Sequence, residues 1–125
     1  MNFGRKEFFG ENWSQEIAAE TLAPLWTFTV PVGSECEIVE FGNYMGTVAQ
    51  WGQSYFYATQ NGVFFELAGG FPYILDQVGY AAQRQKISPK RFAGGTILTI
   101  YGYNADPAEA NDMGISIGYY LIYQE

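Results

Sequence analysis

Over most of the chain, from Leu25 onward, large apolar residues recur at every second position. A period of two is the mark of a pleated strand with one buried face. The pattern is clearest at the end. Met113, Ile115, Ile117, Tyr119, Leu121 and Tyr123 share one face, and Gly114, Ser116, Gly118, Tyr120 and Ile122 share the other. Trp26, Phe28 and Val30 alternate in the same way with Thr27 and Thr29, and Cys36, Ile38 and Glu40 with Glu37, Val39 and Phe41. Residues 53–59 read as a further strand. Asn61-Gly62 then predicts a hairpin, because both residues tolerate positive φ, and residues 63–67 form the return strand. In residues 96–101 both alternating sets contain large apolar groups, which predicts a central strand buried on both faces. Pro31 to Gly33, Gly42-Asn43, Gly94-Gly95 and the polar residues 104–112 read as turns or loops, as do residues 68–73. Residues 74–86 fit either a strand over 79–85 or a helical turn, and Ser88-Pro89 is predicted to break it. About seven or eight short strands separated by turns argue an all-β, two-sheet antiparallel sandwich or a barrel. No strand alternates with a long helix, which disfavours a parallel α/β fold.

Residues 1–24 are different. Phe3, Phe8, Phe9 and Trp13 are interleaved with Gly and charges, without a clean period. Asn12 with Gln15 three residues on suggests a capped short helix over residues 12–21, ended by Pro24. The expected organisation is an extended N-terminal arm, residues 1–24, before a sandwich domain, residues 25–125. The arm either folds back to plug the sandwich edge or docks on a neighbouring subunit.

Composition narrows the chemistry. With no histidine and one cysteine, Cys36, the chain lacks the commonest general base and any intrachain disulfide. Ser-His-Asp and Cys-His nucleophile pairs and the usual zinc sites are excluded, and Cys36 is expected to be a small core hydrophobe. No phosphate-cradling glycine loop is present. Paired carboxylates could serve a hydrolase, but Glu35, Glu37 and Glu40 sit where solvated acids are common. Asp106, Glu109 and Asp112 do not match a calcium loop. The expectation is therefore no enzyme, no cofactor and no metal. A net charge of −7 argues against nucleic acid. No apolar run resembles a secretory leader or a membrane helix, so no membrane partner is expected.

What remains is surface. Aromatic residues make up 18% of the chain and charged residues 15%, against roughly 25% charged in an average soluble protein. Such a surface suggests coverage by partners. The positive charges fall in two groups: Arg5 and Lys6 near the start, and Arg84, Lys86, Lys90 and Arg91. The candidate partner-binding residues are the aromatics Phe3, Phe8, Phe9 and Trp13 with Arg5 and Lys6 at their rim, and the basic cluster Arg84, Lys86, Lys90 and Arg91. Trp51 with Tyr55 and Tyr57, or Tyr119, Tyr120 and Tyr123, are weighed as sugar-stacking platforms against the plainer reading of core or interface.

Thr-Val-Pro-Val-Gly at residues 29–33, with Glu-Ile-Val-Glu-Phe-Gly-Asn-Tyr at 37–44, resembles the opening hairpin of small jelly-roll virion proteins of tailed bacteriophages. The likeness continues through Trp51-Gly52, Asn61-Gly62, Asp76-Gln77-Val78-Gly79, Ile87-Ser88-Pro89, Phe92-Ala93-Gly94-Gly95 and Gly118-Tyr119-Tyr120-Leu121. That resemblance implies a jelly-roll-like sandwich on the outer surface of a virion capsid. It would bind the major capsid protein and self-associate as a trimer or dimer, decorating and cementing the shell by bridging capsomers. The alternative is a receptor- or carbohydrate-binding head on a tail or fibre.

Overall fold

A computed structural model describes residues 3–46, 53–68, 73–74 and 83–124. Among them are nine strands: β1 (Phe3–Ile17), β2 (Thr21–Thr29), β3 (Ser34–Met45), β4 (Tyr55–Gln60), β5 (Val63–Phe65), β6 (Tyr73–Ile74), β7 (Gln85–Ala93), β8 (Ile97–Asn104) and β9 (Asn111–Gln124). Two antiparallel sheets pack face to face. Sheet 1 has the order β1-β9-β3-β7, and sheet 2 the order β2-β8-β4-β5, with β6 also paired to β4. The chain thus changes sheet at β1–β2, β2–β3, β3–β4, β6–β7, β7–β8 and β8–β9. This is the strand order of a jelly roll.

Period-two patterning explains the core. Ile38, Phe41, Met113, Ile117 and Cys36 from sheet 1 meet Phe56, Leu98, Ile100 and Trp26 from sheet 2, all buried. Asn104 is a fully buried polar group at its end of the sandwich, next to the buried Asn111. Its amide Nδ2 donates to the carbonyls of Ile17, Ala18 and Glu109, and its Oδ1 accepts from Asp106 N and Asn111 Nδ2. It ties the β1–β2 turn to the β8–β9 loop, and its satisfied bonds make its burial tolerable. The predicted Asn61-Gly62 hairpin is present, with φ values of 48° and 81°. At the same end as this hairpin, away from Asn104, Gly94 lies so close to the β2–β3 turn that a Cβ there would come within 2.8 Å of Pro31 O.

Several expectations are corrected. Gly42-Asn43 is no turn but lies inside β3, paired with Ser116 and Ile115 of β9. Residues 12–21 are not helical. β1 runs through Asn12 to Ile17, and β2 begins at Thr21. Residues 1–24 are likewise no separate arm where described: β1 pairs with β9 from Lys6↔Ile122 to Ile17↔Asn111. Of the two readings of the segment, this is the one that folds back. Its period was hidden because the inward side includes the acid Glu11 and the outward side the aromatic Phe8. Long-range pairing with the apolar β9 outweighs a local cap signal. Finally, Ser88-Pro89 does not break the chain but lies inside β7. β7 is an edge strand, and there a proline's missing N–H costs no ladder bond. Of residues 74–86, positions 75–82 lie outside the described residues, as do Trp51-Gly52 and Gly69-Gly70.

Candidate functional site: the tyrosine face of sheet 2

The two sheets differ in charge. Every charged residue in a described strand belongs to sheet 1; β2, β4, β5, β6 and β8 contain none. On the outward face of sheet 2, register places Tyr55 opposite Tyr103 and Tyr57 opposite Tyr101. These pairs stack with centroids 5.0 Å and 4.8 Å apart and interplanar angles of 28° and 19°. Tyr55 and Tyr57 are 6.0 Å apart along β4, which joins the pairs into one field. Tyr73 from β6 stands edge-on to Tyr55 at 4.9 Å and to Tyr57 at 5.6 Å, and Phe64 from β5 lies 4.8 Å from Tyr57. Leu22 and Ile97, both exposed, extend the field over β2 and β8. Burial, and then the neighbouring phenols, raise the Tyr55 and Tyr57 hydroxyls above the ordinary tyrosine range.

The β1 and β7 residues singled out from sequence lie on sheet 1. They occupy its opposite edges, and one side chain joins them. Arg84, just before β7, reaches across β3 and β9 toward β1. Its Nε donates to Glu40 Oε1 at 3.0 Å and its Nη1 to Ser116 Oγ at 3.0 Å, and its guanidinium sits 6.0 Å from the Phe8 ring centroid. Ser116 Oγ in turn donates to Asn12 Oδ1. The glycines beneath leave the path open: a Cβ at Gly10 would come within 2.7 Å of Arg84 Nη2, and one at Gly118 within 2.6 Å of Glu40 Oε1. Arg91 faces Glu37 Oε2 at 3.3 Å and Glu35 Oε1 at 3.4 Å, the latter without hydrogen-bond alignment. Arg5 lies over Tyr123 and Lys6 over Tyr120. Phe8 packs edge-on to Tyr120, Phe9 stacks on Tyr119 toward the core, and Trp13 is exposed. Phe3 pairs with Gln124 at the ladder's end. Lys86 and Lys90 meet no carboxylate within ion-pair distance among the described residues.

Other sequence candidates separate. Tyr119 points inward and Tyr120 outward, so they share no platform. The three glutamates of β3 all face arginines. In the 104–112 loop, Asp106 Oδ1 accepts the backbone N–H groups of Ala108 and Glu109. Those bonds hold its carboxyl below the usual range. The Cys36 thiol is fully buried, and desolvation pushes its pKa up to about 12, so it stays protonated and unreactive at neutral pH.

Tyr101, Tyr103, Tyr73, Phe64 and Leu22 were missed by sequence reasoning. The signal was two Tyr-x-Tyr repeats, Tyr55-Phe56-Tyr57 and Tyr101-Gly102-Tyr103, whose period of two puts both tyrosines of each on one side. β8 is central as expected, but it is covered on one face only; Tyr101 and Tyr103 are half-exposed.

The fold and face define a jelly-roll sandwich with a charged, internally paired exterior on one sheet and an uncharged aromatic exterior on the other. No protein-family model, curated protein or solved structure matches the chain.

Proposed function

We propose that this chain is a non-catalytic virion structural protein that decorates and cements a tailed-phage capsid, and that the tyrosine face of sheet 2 is its docking surface. The observation that carries the reading is the absence of charge across sheet 2 beneath a continuous field of stacked tyrosines. Protein interfaces are depleted of charge and enriched in tyrosine at their cores, and tyrosine supplies large contact area at low entropic cost. The virion setting rests on the sequence resemblance. A module that binds only the assembled shell stabilises it by linkage, and many copies add their effects.

Co-sedimentation of the purified chain with assembled shells, and with unassembled capsid protein, tests this. Binding to shells that is lost in Tyr57→Ala/Tyr101→Ala supports the reading. Binding unaffected by that pair of changes would sink it. Deleting residues 1–13 is a poorer test, because it strips β9 of most of its outer partner and perturbs folding along with docking.

The near-parallel tyrosine pairs favour one second reading, a glycan-binding head, since flat phenol faces also stack on sugar rings. A glycan-array signal abolished by the same substitutions, with only a few copies per particle, would select it over cement.

A further inference from the structure

The open side of the sandwich, where the edge strands β1 and β2 lie over one another, holds a cleft of about 170 Å³ lined by Glu11, Trp13, Leu25, Trp26, Thr27 and Phe28. Its walls are aromatic. Trp26 and Phe28 stack at 5.6 Å with an interplanar angle of 17°, and Trp13, 52% exposed, stands at the mouth. Its one charge is a carboxylate. Glu11 Oε2 accepts the Tyr119 hydroxyl, and Glu11 Oε1 accepts the Trp13 indole N–H at 3.4 Å. Both bonds orient the carboxylate, and an ionised carboxylate retains acceptor capacity beyond two bonds. Tyr119 is itself packed against Trp26 and Phe28, so the acid is held by the aromatic cluster. A shift in the β2 register between Pro24 and Trp26 turns both Leu25 and Trp26 inward at this point. Bulges of this kind re-aim side chains at sheet edges.

Unlike the three glutamates of β3, Glu11 meets no cation among the described residues. A carboxylate beside indole and phenyl rings is the chemistry that selects an organic cation, through ion pairing and cation–π attraction together. The cleft is smaller than the roughly 300 Å³ at which drug-sized sites begin. It suits a single head group.

We propose that this cleft binds an organic cation, an alkylammonium or guanidinium head group, between Trp13 and the Trp26–Phe28 stack with Glu11 as counter-ion. Such a group comes either from a free quaternary ammonium compound or from a basic side chain of a partner.

The test is a titration of the full-length chain, followed by tryptophan fluorescence and indole N–H resonances at constant ionic strength. Choline represents the free compound, and a blocked Gly-Arg-Gly peptide the partner side chain. The uncharged 3,3-dimethylbutan-1-ol, which copies the shape of choline, is the control. The expected result is a saturable response to choline or to the peptide, absent with the alcohol and weakened about tenfold or more in Glu11→Gln. Whichever probe saturates at lower concentration identifies the source. Trp13→Ala should weaken binding comparably, and it serves if Glu11→Gln fails to fold by circular dichroism. Equal response to the alcohol, no saturable response to either cation, or undiminished binding by a folded variant overturns the proposal.

Discussion

The outer faces of the two sheets treat their side chains in opposite ways. On sheet 1, arginines and glutamates answer one another within the chain: Arg84 reaches over β3 and β9 to hold Glu40 and Ser116, and Arg91 sits between Glu35 and Glu37. The described strands of sheet 2 carry no charge to answer, and their rings pack against one another, leaving Tyr73 and Phe64 about half exposed. Internal pairing makes a surface self-sufficient; an aromatic surface keeps contact area to offer. The basic cluster, the most pointed feature of the sequence, thus contributes two of its four members to stabilising the fold. The proposed docking surface falls where the sequence looks plainest.

Three substitution experiments can break this contrast. The largest effect is expected from Tyr57→Ala with Tyr101→Ala. If each tyrosine is a binding hot spot worth about 2 kcal/mol and the two add, shell affinity falls about 1000-fold. Stability falls too, because Tyr57 contacts four rings, each pair worth about 0.5–1.5 kcal/mol, so docking is compared between folded proteins. Sedimentation reads the first quantity and urea unfolding the second. Arg84→Met should lower stability alone. It strands the largely covered Glu40 carboxylate and costs about 1–3 kcal/mol of stability, with shell binding unchanged. A double-mutant cycle with Glu40→Gln isolates the pair, and coupling below about 0.3 kcal/mol would show that the contact is merely a surface ion pair. If Arg84→Met weakens docking as much as the tyrosine changes do, the division between faces is wrong.

The sandwich was legible because Met113 to Tyr123 and Trp26 to Val30 alternate without interruption, and Asn61-Gly62 fixes its own turn. β1 was not legible. Its inward side carries Glu11, whose partner Tyr119 is more than a hundred residues away, and no local pattern records a bond of that range. Pro89 misled for a related reason: a proline's effect depends on whether its strand is an edge, which is a property of the whole sheet. The tyrosine face was half legible. Tyr55 and Tyr57 were singled out, but their partners Tyr101 and Tyr103 join them only through the β4–β8 register.

Alkaline pH sharpens the same contrast by separating tyrosines according to the side they face. Burial, and then the hydrogen bond to Glu11, raise the Tyr119 pKa well above its ordinary value of 10.0. Because the folded value is the higher one, this stabilisation is intact below pH 10.0 and is lost as pH rises from there toward the folded value. Tyr55 and Tyr57 shift in the same direction but lie on an open face. Their ionisation needs no unfolding and puts negative charge into a surface that had none. Docking should therefore be lost at lower pH than the fold. Tyrosinate absorbance should show an early reversible phase, followed by one that coincides with loss of near-ultraviolet dichroism. Tyr119→Phe should cost about 1 kcal/mol at neutral pH and soften the alkaline loss of stability. A single phase in which docking and fold disappear together would mean that the outer rings hold the sandwich together as firmly as the inner one does.

The smallest effect belongs to a residue on neither face. Asp106 accepts backbone N–H bonds from Ala108 and Glu109, and those bonds lower its folded pKa below the ordinary 3.8. Its contribution is thus present above 3.8 and disappears as pH falls through the lowered folded value. Asp106→Ala should lower the thermal midpoint slightly near neutral pH, and the difference from the parent should close in strong acid. Shell binding should not change. The loop joins β8, which carries Tyr101 and Tyr103, to β9, which carries Ser116, so it touches both regimes covalently without belonging to either. A change here that reduced docking would show that the tyrosine field depends on how its strand ends are held. It would no longer count as an independent surface.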